Sequence, residues 1–252
     1  MSNGTSTVSL TVDDGMTTDS DVVLIIVQDT TAPVVSNASA SPNPAAVNTS
    51  VTISADVADI CAAYTEYTID GGLTWADMNV PLLSGIESRI LEVCVRATDE
   101  SGNHAKDCFF LPVYDPSGGF VTGGGWIDSP SGAFMDNTAL TGKANFGFVS
   151  KYKKGATIPT GQTEFAFKTA GLNFHSSVYE WLVVTGNNKA QFKGTGTING
   201  TGDYKFMVWA GDGTPDTFRI RIWEEIGGIE YDKYDNGTDQ AIGGGNIVVH
   251  GK

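Results

Sequence analysis

Hydrophobic and polar residues alternate in short runs along most of this chain. Residues 6–12 and 51–57 alternate with a period of two, and similar runs recur between clusters of Gly, Asn, Asp and Pro. A period of two is the pattern of a strand with one buried face, whereas an amphipathic helix repeats every three to four residues. No run keeps that helical spacing over four turns. The pattern therefore predicts an all-β protein.

Residues 4–28 contain two predicted strands around a turn. Residues 6–12 alternate, an Asp-Asp-Gly turn follows at 13–15, and residues 22–27 form a continuous apolar run. A strand that is apolar on both faces needs cover on both sides, and an isolated hairpin is marginal in water. The segment resembles the last two strands of a polycystic-kidney-disease (PKD) repeat, an immunoglobulin-like sandwich of bacterial and archaeal surface proteins.

Two interpretations of residues 1–28 follow from that resemblance. A sandwich of this kind needs roughly 100 residues. The segment is therefore either the end of a domain whose other strands lie upstream, or a donor segment that completes a sheet in another molecule. Its partners are then upstream domains of the same chain or other copies of it. The candidate strand-exchange residues are Val22, Val23, Leu24, Ile25, Ile26 and Val27.

Residues 29–115 contain the strands of one predicted sandwich, which follows an Asp-Thr-Thr-Ala-Pro linker at 29–33. The strings Tyr-Thr-Ile-Asp-Gly-Gly at 67–72 and Ala-Thr-Asp-Glu-Ser-Gly-Asn at 97–103 resemble bacterial immunoglobulin-like and HYR-type repeats. The resemblance implies an immunoglobulin-like β-sandwich.

The cysteines predict one disulfide in this domain. Cys94 and Cys108 flank the turn at 99–103 symmetrically, so in a regular hairpin they lie opposite each other. A disulfide between them implies an oxidising compartment. A one-residue bulge would spoil this register, and Cys61 is then either a free thiol or a replacement for one partner. No Cys-x-x-Cys spacing indicates zinc.

Residues 116–252 have a different composition and carry distinctive strings. These are Gly-Phe-Val-Thr-Gly-Gly-Gly-Trp-Ile at 119–127, Leu-Asn-Phe-His at 172–175 and Asp-Thr-Phe-Arg-Ile-Arg-Ile-Trp at 216–223. They resemble the post-COAP domain, which ends bacterial secreted chains after PKD and immunoglobulin-like repeats. The resemblance implies an extracellular β domain and no particular activity.

Alternation within 116–252 predicts a Phe-rich sandwich or jelly-roll core. The predicted strands are 145–150, 163–168, 178–184, 190–198, 204–210, 217–223, 229–231 and 246–250. The predicted inward residues are Phe146, Phe148, Phe165, Phe167, Tyr204, Phe206, Val208, Phe218, Ile220, Ile222, Ile247 and Val249. Tyr179, Trp181 and Val183 share one face and are expected in the core. The glycine runs at 123–125 and 243–245 are expected to pair as adjacent edge strands.

Charge is distributed unevenly along the chain. The net charge is −14, and residues 1–115 contain 16 Asp and Glu against three Lys and Arg. Such a segment repels nucleic acid and anionic membranes, so neither is an expected partner. No apolar run is long enough to span a bilayer, so no membrane insertion is expected. The expected location is extracellular or at the cell surface.

No set of residues in the sequence predicts catalysis. His104, His175 and His250 fall in no metal-binding spacing, and no Gly-x-Ser-x-Gly string is present. Glu224 and Glu225 are consecutive on a predicted strand, so they point to opposite faces and would not easily flank one glycosidic bond. We expect a protein that is not an enzyme and requires no cofactor.

Outward positions on two predicted strands offer a candidate sugar platform. If the Phe and Ile residues of these strands face inward, Trp209 and Trp223 face outward beside Arg219 and Arg221. Exposed aromatic faces stack on sugar rings, so glycans are a candidate partner. A loop that covers these rings is the alternative.

Acidic loops and one basic cluster complete the candidate sites. The candidate calcium ligands are Asp212, Asp216, Asp232, Asp235 and Asp239. Calcium takes six to eight oxygen ligands, but these residues do not match EF-hand spacing, and Asx turns explain Asp in loops equally well. The string Lys-Tyr-Lys-Lys at 151–154 is the densest positive cluster and could contact the acidic first half of another copy.

These patterns together predict tandem β-sandwich domains at 29–115 and 116–252 behind the segment 1–28. The predicted function is a non-catalytic structural or adhesive module of a surface or secreted protein. A fibre subunit that assembles by exchange of its N-terminal strand is the more specific form. A carbohydrate-binding module is the alternative, and calcium is the only cofactor that the loops suggest.

Overall fold

The computed structural model describes residues 4–60, 63–85 and 87–251. Within these ranges the regular structure consists of strands and one 3-10 turn at Lys168–Ala170, so the prediction of an all-β protein is confirmed. The chain divides into two compact units. The first comprises residues 1–43, 50–83 and 91–111, and the second comprises residues 44–49, 84–90 and 112–252.

The first unit begins with a separate two-stranded sheet. Strands β1 (Gly4–Asp13) and β2 (Thr18–Val27) pair antiparallel along their whole length. Gly15 lies in the left-handed region at φ 84°, which a side chain would strain. The carboxylates of Asp13 and Asp14 accept hydrogen bonds from backbone N–H groups of the turn. Local turn chemistry therefore determines where this hairpin reverses.

Residues 34–114 form two further sheets. The strands are β3 (Val34–Ser41), β4 (Ala45–Ala46), β5 (Ser50–Ala58), β6 (Ala63–Thr68), β7 (Ala76–Asp77), β8 (Leu82–Leu83), β9 (Arg89–Asp99) and β10 (His104–Tyr114). The sheet orders are β3-β5-β8 and β4-β10-β9-β6-β7. Val51 and Ile53 are buried from the first sheet, and Val93 and Val95 from the second. Both sheets thus bury alternate β-branched residues, as in a β-sandwich.

A charged turn connects β6 to β7. The carboxylate of Asp70 accepts hydrogen bonds from the Thr68 hydroxyl at 2.6 Å and from the Thr74 N–H at 3.0 Å. These bonds favour the ionised carboxylate and hold the pKa of Asp70 far below its usual value. In the same unit the guanidinium of Arg96 lies 3.9 Å from the centroid of the Trp75 ring.

The second unit contains one large antiparallel sheet. Its strands are β11 (Phe120–Ser129), β12 (Gly142–Lys151), β13 (Thr160–Phe167), β14 (Leu172–Thr185), β15 (Lys189–Ile198), β16 (Thr201–Gly211), β17 (Thr217–Ile226), β18 (Ile229–Asp235), β19 (Gln240–Ala241) and β20 (Gly244–His250). The order is β18-β17-β16-β15-β14-β13-β12-β11-β20, and β19 pairs with β17. Strands β11 to β18 each neighbour the next strand along the chain. This order is a meander, which differs from the Greek-key order of a jelly roll.

The large sheet curls so that its two halves face each other. Phe146 on β12 stacks on Phe218 on β17 with ring centroids 3.9 Å apart, and Phe165 on β13 contacts Tyr234 on β18 at 4.6 Å. Burial raises the pKa of Tyr234 to about 12. The predicted inward residues are buried except Tyr204, which is half-buried and packs against the same core. The prediction of a Phe-rich core is confirmed.

The strands that carry the two glycine runs pair as predicted, with Gly125 opposite Gly245, but β11 is not an edge. It pairs with β20 on one side and with β12 on the other. A Cβ placed on Gly123 would lie 2.5 Å from the ring of Phe148, so that ring packs directly on the β11 backbone. The glycines therefore leave room for the aromatic core.

Strand β14 contradicts the expected alternation. Tyr179 belongs to the Phe-rich core, whereas Trp181 and Val183 lie in a separate cluster with Tyr114. The pairing of β14 with β15 shifts register between Tyr179 and Trp181. The prediction that the three side chains share one face is wrong, because the extra residue of a bulge turns the following side chain to the other face.

Candidate functional surfaces

The β1–β2 hairpin presents apolar side chains on both faces. Every residue of both strands is exposed. The register places Val8 opposite Val23 and Thr7 opposite Leu24. One face, which we call face A, contains the apolar residues Val8, Leu10, Val12, Val23, Ile25 and Val27. The opposite face, face B, combines Ser and Thr from β1 with Val22, Leu24 and Ile26 from β2.

The candidate strand-exchange residues lie together on β2. Val22 to Val27 all belong to this strand, and their exposure ranges from 39% for Val27 to 69% for Ile26. In the described part of the chain, β2 pairs with β1 alone, so its second edge carries no strand. A strand of this kind offers both backbone groups and apolar side chains to a partner.

The candidate sugar-binding residues lie on the outer face of β16 and β17, as the alternation predicts. The Arg219 guanidinium lies 4.4 Å from the Trp209 ring centroid, and Arg221 lies 4.6 Å from that of Trp223. Trp209 is half-buried, but Trp223 is only 3% exposed. Its Nε1 is buried and has no hydrogen-bond partner among the described residues. The expectation of an exposed Trp223 ring is therefore wrong, because its surroundings exclude solvent.

Acidic residues of β18 hold both arginines in place. Arg219 forms a two-point contact with Asp235, at 3.1 Å from Nε and 2.9 Å from Nη2. Arg221 contacts Asp232 at 2.7 Å and Glu230 at 2.8 Å. Burial lowers the pKa of Arg221, but the two carboxylates raise it by more, so the net shift is upward. The outer face is thus a layer of ion pairs over indole rings, not an open aromatic platform.

The five aspartates proposed as calcium ligands are not brought together. Asp212 and Asp216 accept hydrogen bonds from the N–H groups of Val249 at 2.9 Å and Ile247 at 2.8 Å. These contacts cap the outer edge of β20. Asp232 and Asp235 pair with the two arginines of the outer face, and Asp239 is exposed in the loop before β19. Two different structural roles therefore occupy the first four carboxylates: Asp212 and Asp216 cap β20, and Asp232 and Asp235 pair with arginines.

The disulfide between Cys94 and Cys108 is present, as the register argument predicts. In the described ranges, the one group of acidic, His and Cys ligand atoms close enough to share a metal ion is Glu92 with these two cysteines. Because both sulfurs form the disulfide, this group is not a metal site. Cys61 lies outside the described residues.

The three histidines lie on different strands. His104 is on β10, His175 on β14 and His250 on β20. The Nδ1 atom of His175 is 3.5 Å from a carboxylate oxygen of Glu164, and both side chains are largely exposed. His250 stacks on Phe120 with ring centroids 4.0 Å apart. Both contacts lie at the protein surface: His175 is near a carboxylate, and His250 stacks on an aromatic ring.

A cleft that sequence reasoning missed opens beside the basic cluster of the second unit. Its volume is about 520 Å³, and its walls include Phe120, Tyr152, Lys151 and Lys154. Burial raises the pKa of Tyr152, whose hydroxyl donates a hydrogen bond to the Leu182 carbonyl at 3.1 Å. The Lys-Tyr-Lys-Lys string signals the basic rim, but the aromatic wall from β11 is contributed only by the fold. We call this feature the basic cleft.

Comparison of the chain with protein-family models, with curated proteins and with solved structures finds no match. In the described ranges, no helix has the length and apolarity needed to cross a bilayer.

Proposed function

We propose that this chain is a non-catalytic structural and adhesive module of an extracellular or cell-surface protein. In this proposal the β1–β2 hairpin is buried against a β domain of another copy, so that copies join into a larger assembly. The observation that carries the proposal is the exposure of apolar side chains on both faces of that hairpin.

The energetics of the hairpin support burial by a partner. Full burial of an exposed Val, Leu or Ile side chain contributes about 1.5–3 kcal/mol. Face A alone carries six such residues, and a two-stranded hairpin is marginal by itself. The free edge of β2 adds backbone groups that a strand of the partner can pair with; two N–H groups of this strand, those of Ser20 and Val22, already donate to Asp19 and Asp21. Strand addition would thus cover side chains and backbone at once.

The disulfide supports the proposed location. Disulfides persist in oxidising compartments, and the Cys94–Cys108 bond lies within a β-sandwich of the kind common on cell surfaces. The carbohydrate-binding alternative has less support. Trp223 is buried and Trp209 lies under Arg219, so the two rings do not form one open stacking surface.

The test compares the full chain with a variant of face A in sedimentation velocity and negative-stain electron microscopy. Val23→Thr with Ile25→Thr keeps β-branched strand formers but removes apolar surface, so we expect assemblies of the wild type to dissociate. Val22→Thr with Ile26→Thr makes the same change on face B and is the matched comparison. A wild-type chain that is monomeric at all concentrations, or a face A variant that assembles normally, contradicts the proposal.

A further inference from the structure

The tip of the β1–β2 hairpin combines an apolar side chain with a cluster of negative charge. Met16 lies in the turn and is 94% exposed. The surrounding acidic residues are Asp13, Asp14, Asp19 and Asp21, and all four are exposed. Their carboxylates accept hydrogen bonds from hairpin N–H groups. Hydrogen bonds from Thr17 and Met16 lower the pKa of Asp14, so this carboxylate stays ionised.

The basic cleft of the second unit has the complementary chemistry. Its lining is mainly apolar, with Phe120 and Tyr152 in its walls, and Lys151 and Lys154 also line it. Lys153 is exposed between them, and none of the three lysines forms an ion pair with a described residue. Methionine is flexible and makes favourable contacts with aromatic rings, so it suits an irregular apolar gap.

We propose that the hairpin tip of one copy docks in the basic cleft of the next copy. Met16 enters the apolar part of the cleft, and the four aspartates of the tip face Lys151, Lys153 and Lys154. This inference rests on the proposed function, because it requires the hairpin to join copies, and it adds where the tip binds. Since tip and cleft are different surfaces, the contact is heterologous and repeats head to tail.

Charge complementarity favours a second copy as the occupant. An acidic glycan would also be attracted to the three lysines, but it would leave the exposed Met16 and the acidic tip unexplained. A second copy accounts for both surfaces, because each copy carries one tip and one cleft. Opposite charges at the two surfaces also accelerate encounter and fix the orientation of docking.

Charge reversal in the full chain tests the docking. We expect Lys151→Glu with Lys154→Glu to weaken self-association in sedimentation velocity by about tenfold or more at low salt. Asp19→Lys with Asp21→Lys should weaken it similarly; Asp14 is kept because its carboxylate holds the turn. Mixing these two variants should restore association, since a basic tip then meets an acidic cleft. Wild-type association should fall as salt rises from about 20 mM to about 500 mM.

A matched control separates local from general charge effects. Lys168→Glu with Lys189→Glu changes the net charge of the second unit equally at exposed lysines away from the cleft lining, and should leave association unchanged. Unchanged association in the cleft variant overturns the docking, as does failure of the mixture to associate. The docking is also overturned if an acidic oligosaccharide binds at Lys151 and Lys154 and the chain does not self-associate.

The two proposals fail in distinguishable ways. If the face A variant dissociates while both charge-reversed variants assemble normally, the hairpin joins copies but does not dock in the cleft. If the face A variant and the charge-reversed variants all assemble normally, the proposed function fails as well.

Discussion

Single side chains carry much of the turn structure of this protein through hydrogen bonds that depend on their ionisation. Asp70 is the clearest case, because its carboxylate accepts bonds from Thr68 and Thr74. Its pKa in the folded protein lies below its ordinary value. Its contribution to stability is therefore complete above the unfolded pKa of about 4 and is lost as the pH falls toward the folded pKa.

We expect Asp70→Asn to lower stability at neutral pH and to flatten its decline in acid. The neutral amide cannot reproduce the charge-assisted bonds, and it does not titrate. Urea unfolding at a series of pH values between neutral and strongly acidic solution measures both effects. Asp203→Asn, at an exposed carboxylate, is the comparison. If the free energy of unfolding depends on pH equally in wild type and in Asp70→Asn, the Asp70 carboxylate does not contribute to that dependence.

The sequence pattern did not determine which side chains on the outer face of β16 and β17 are exposed to solvent. Alternation correctly placed Trp209 and Trp223 on that face, but it could not show that Trp223 is solvent-excluded. The arginines that cover the rings are held by acids of β18, the strand that pairs with β17. The sugar platform was therefore predicted from orientation, whereas exposure depends on neighbours that alternation does not describe.

In the second unit, side chains rather than another strand close the outer edge of the large sheet. The outer edge of β20 is capped by Asp212 and Asp216, which accept hydrogen bonds from the N–H groups of Val249 and Ile247. An open edge would present unpaired N–H groups to other strands. In the first unit, the second edge of β2 likewise carries no strand among the described residues, and the N–H groups of Ser20 and Val22 donate to Asp19 and Asp21.

We expect Asp216→Ala to destabilise the protein by about 1–3 kcal/mol, because the buried Ile247 N–H loses its acceptor. Hydrogen exchange at Ile247 should also accelerate. Asp203→Ala removes an exposed carboxylate and should change neither quantity. Unaltered protection of Ile247 would mean that the carboxylate does not close this edge.

The hairpin of β9 and β10 depends on its disulfide for part of its stability. The bond joins cysteines 14 residues apart. Closing a loop of that length restricts the unfolded chain and contributes about 3 kcal/mol. Cys94→Ser with Cys108→Ser should therefore lower the free energy of unfolding of the first unit by that amount, as measured in urea. A reductant should destabilise the wild type comparably and leave the double variant unaffected. A reductant-insensitive wild type would contradict this expectation.

On the scale of the whole molecule, we expect the acidic composition to control solubility as a function of pH. The net charge is −14 and the isoelectric point is about 4.4. Repulsion between molecules vanishes near that pH. Light scattering across a pH series should therefore show maximal non-specific aggregation close to pH 4.4. Constant scattering through that range would show that composition does not limit solubility.

The segregation of charge matters for specific assembly as well as for solubility. Residues 1–115 hold nearly all of the excess negative charge, while Lys151 and Lys154 line the basic cleft of the second unit and Lys153 lies between them in the sequence. Opposite local charge at the acidic hairpin tip and at the basic cleft favours contacts between copies over random association. The charge-reversed variants test this statement directly, because they change local sign at known positions.

The all-β class, the Phe-rich core, the disulfide and the apolar hairpin were determined by the sequence alone. Each depends on local alternation, turn residues or a short symmetric spacing, which neighbouring residues encode. Tertiary structure alone decided the bulge that separates Tyr179 from Trp181, the cover over Trp223 and the separate tasks of the calcium candidates. It also formed the basic cleft from β11 and the segment after β12. These features depend on how strands pair and on which side chains pack beside each other, from a local bulge to the contact of Asp216 with Ile247, and sequence periodicity carries no information about either.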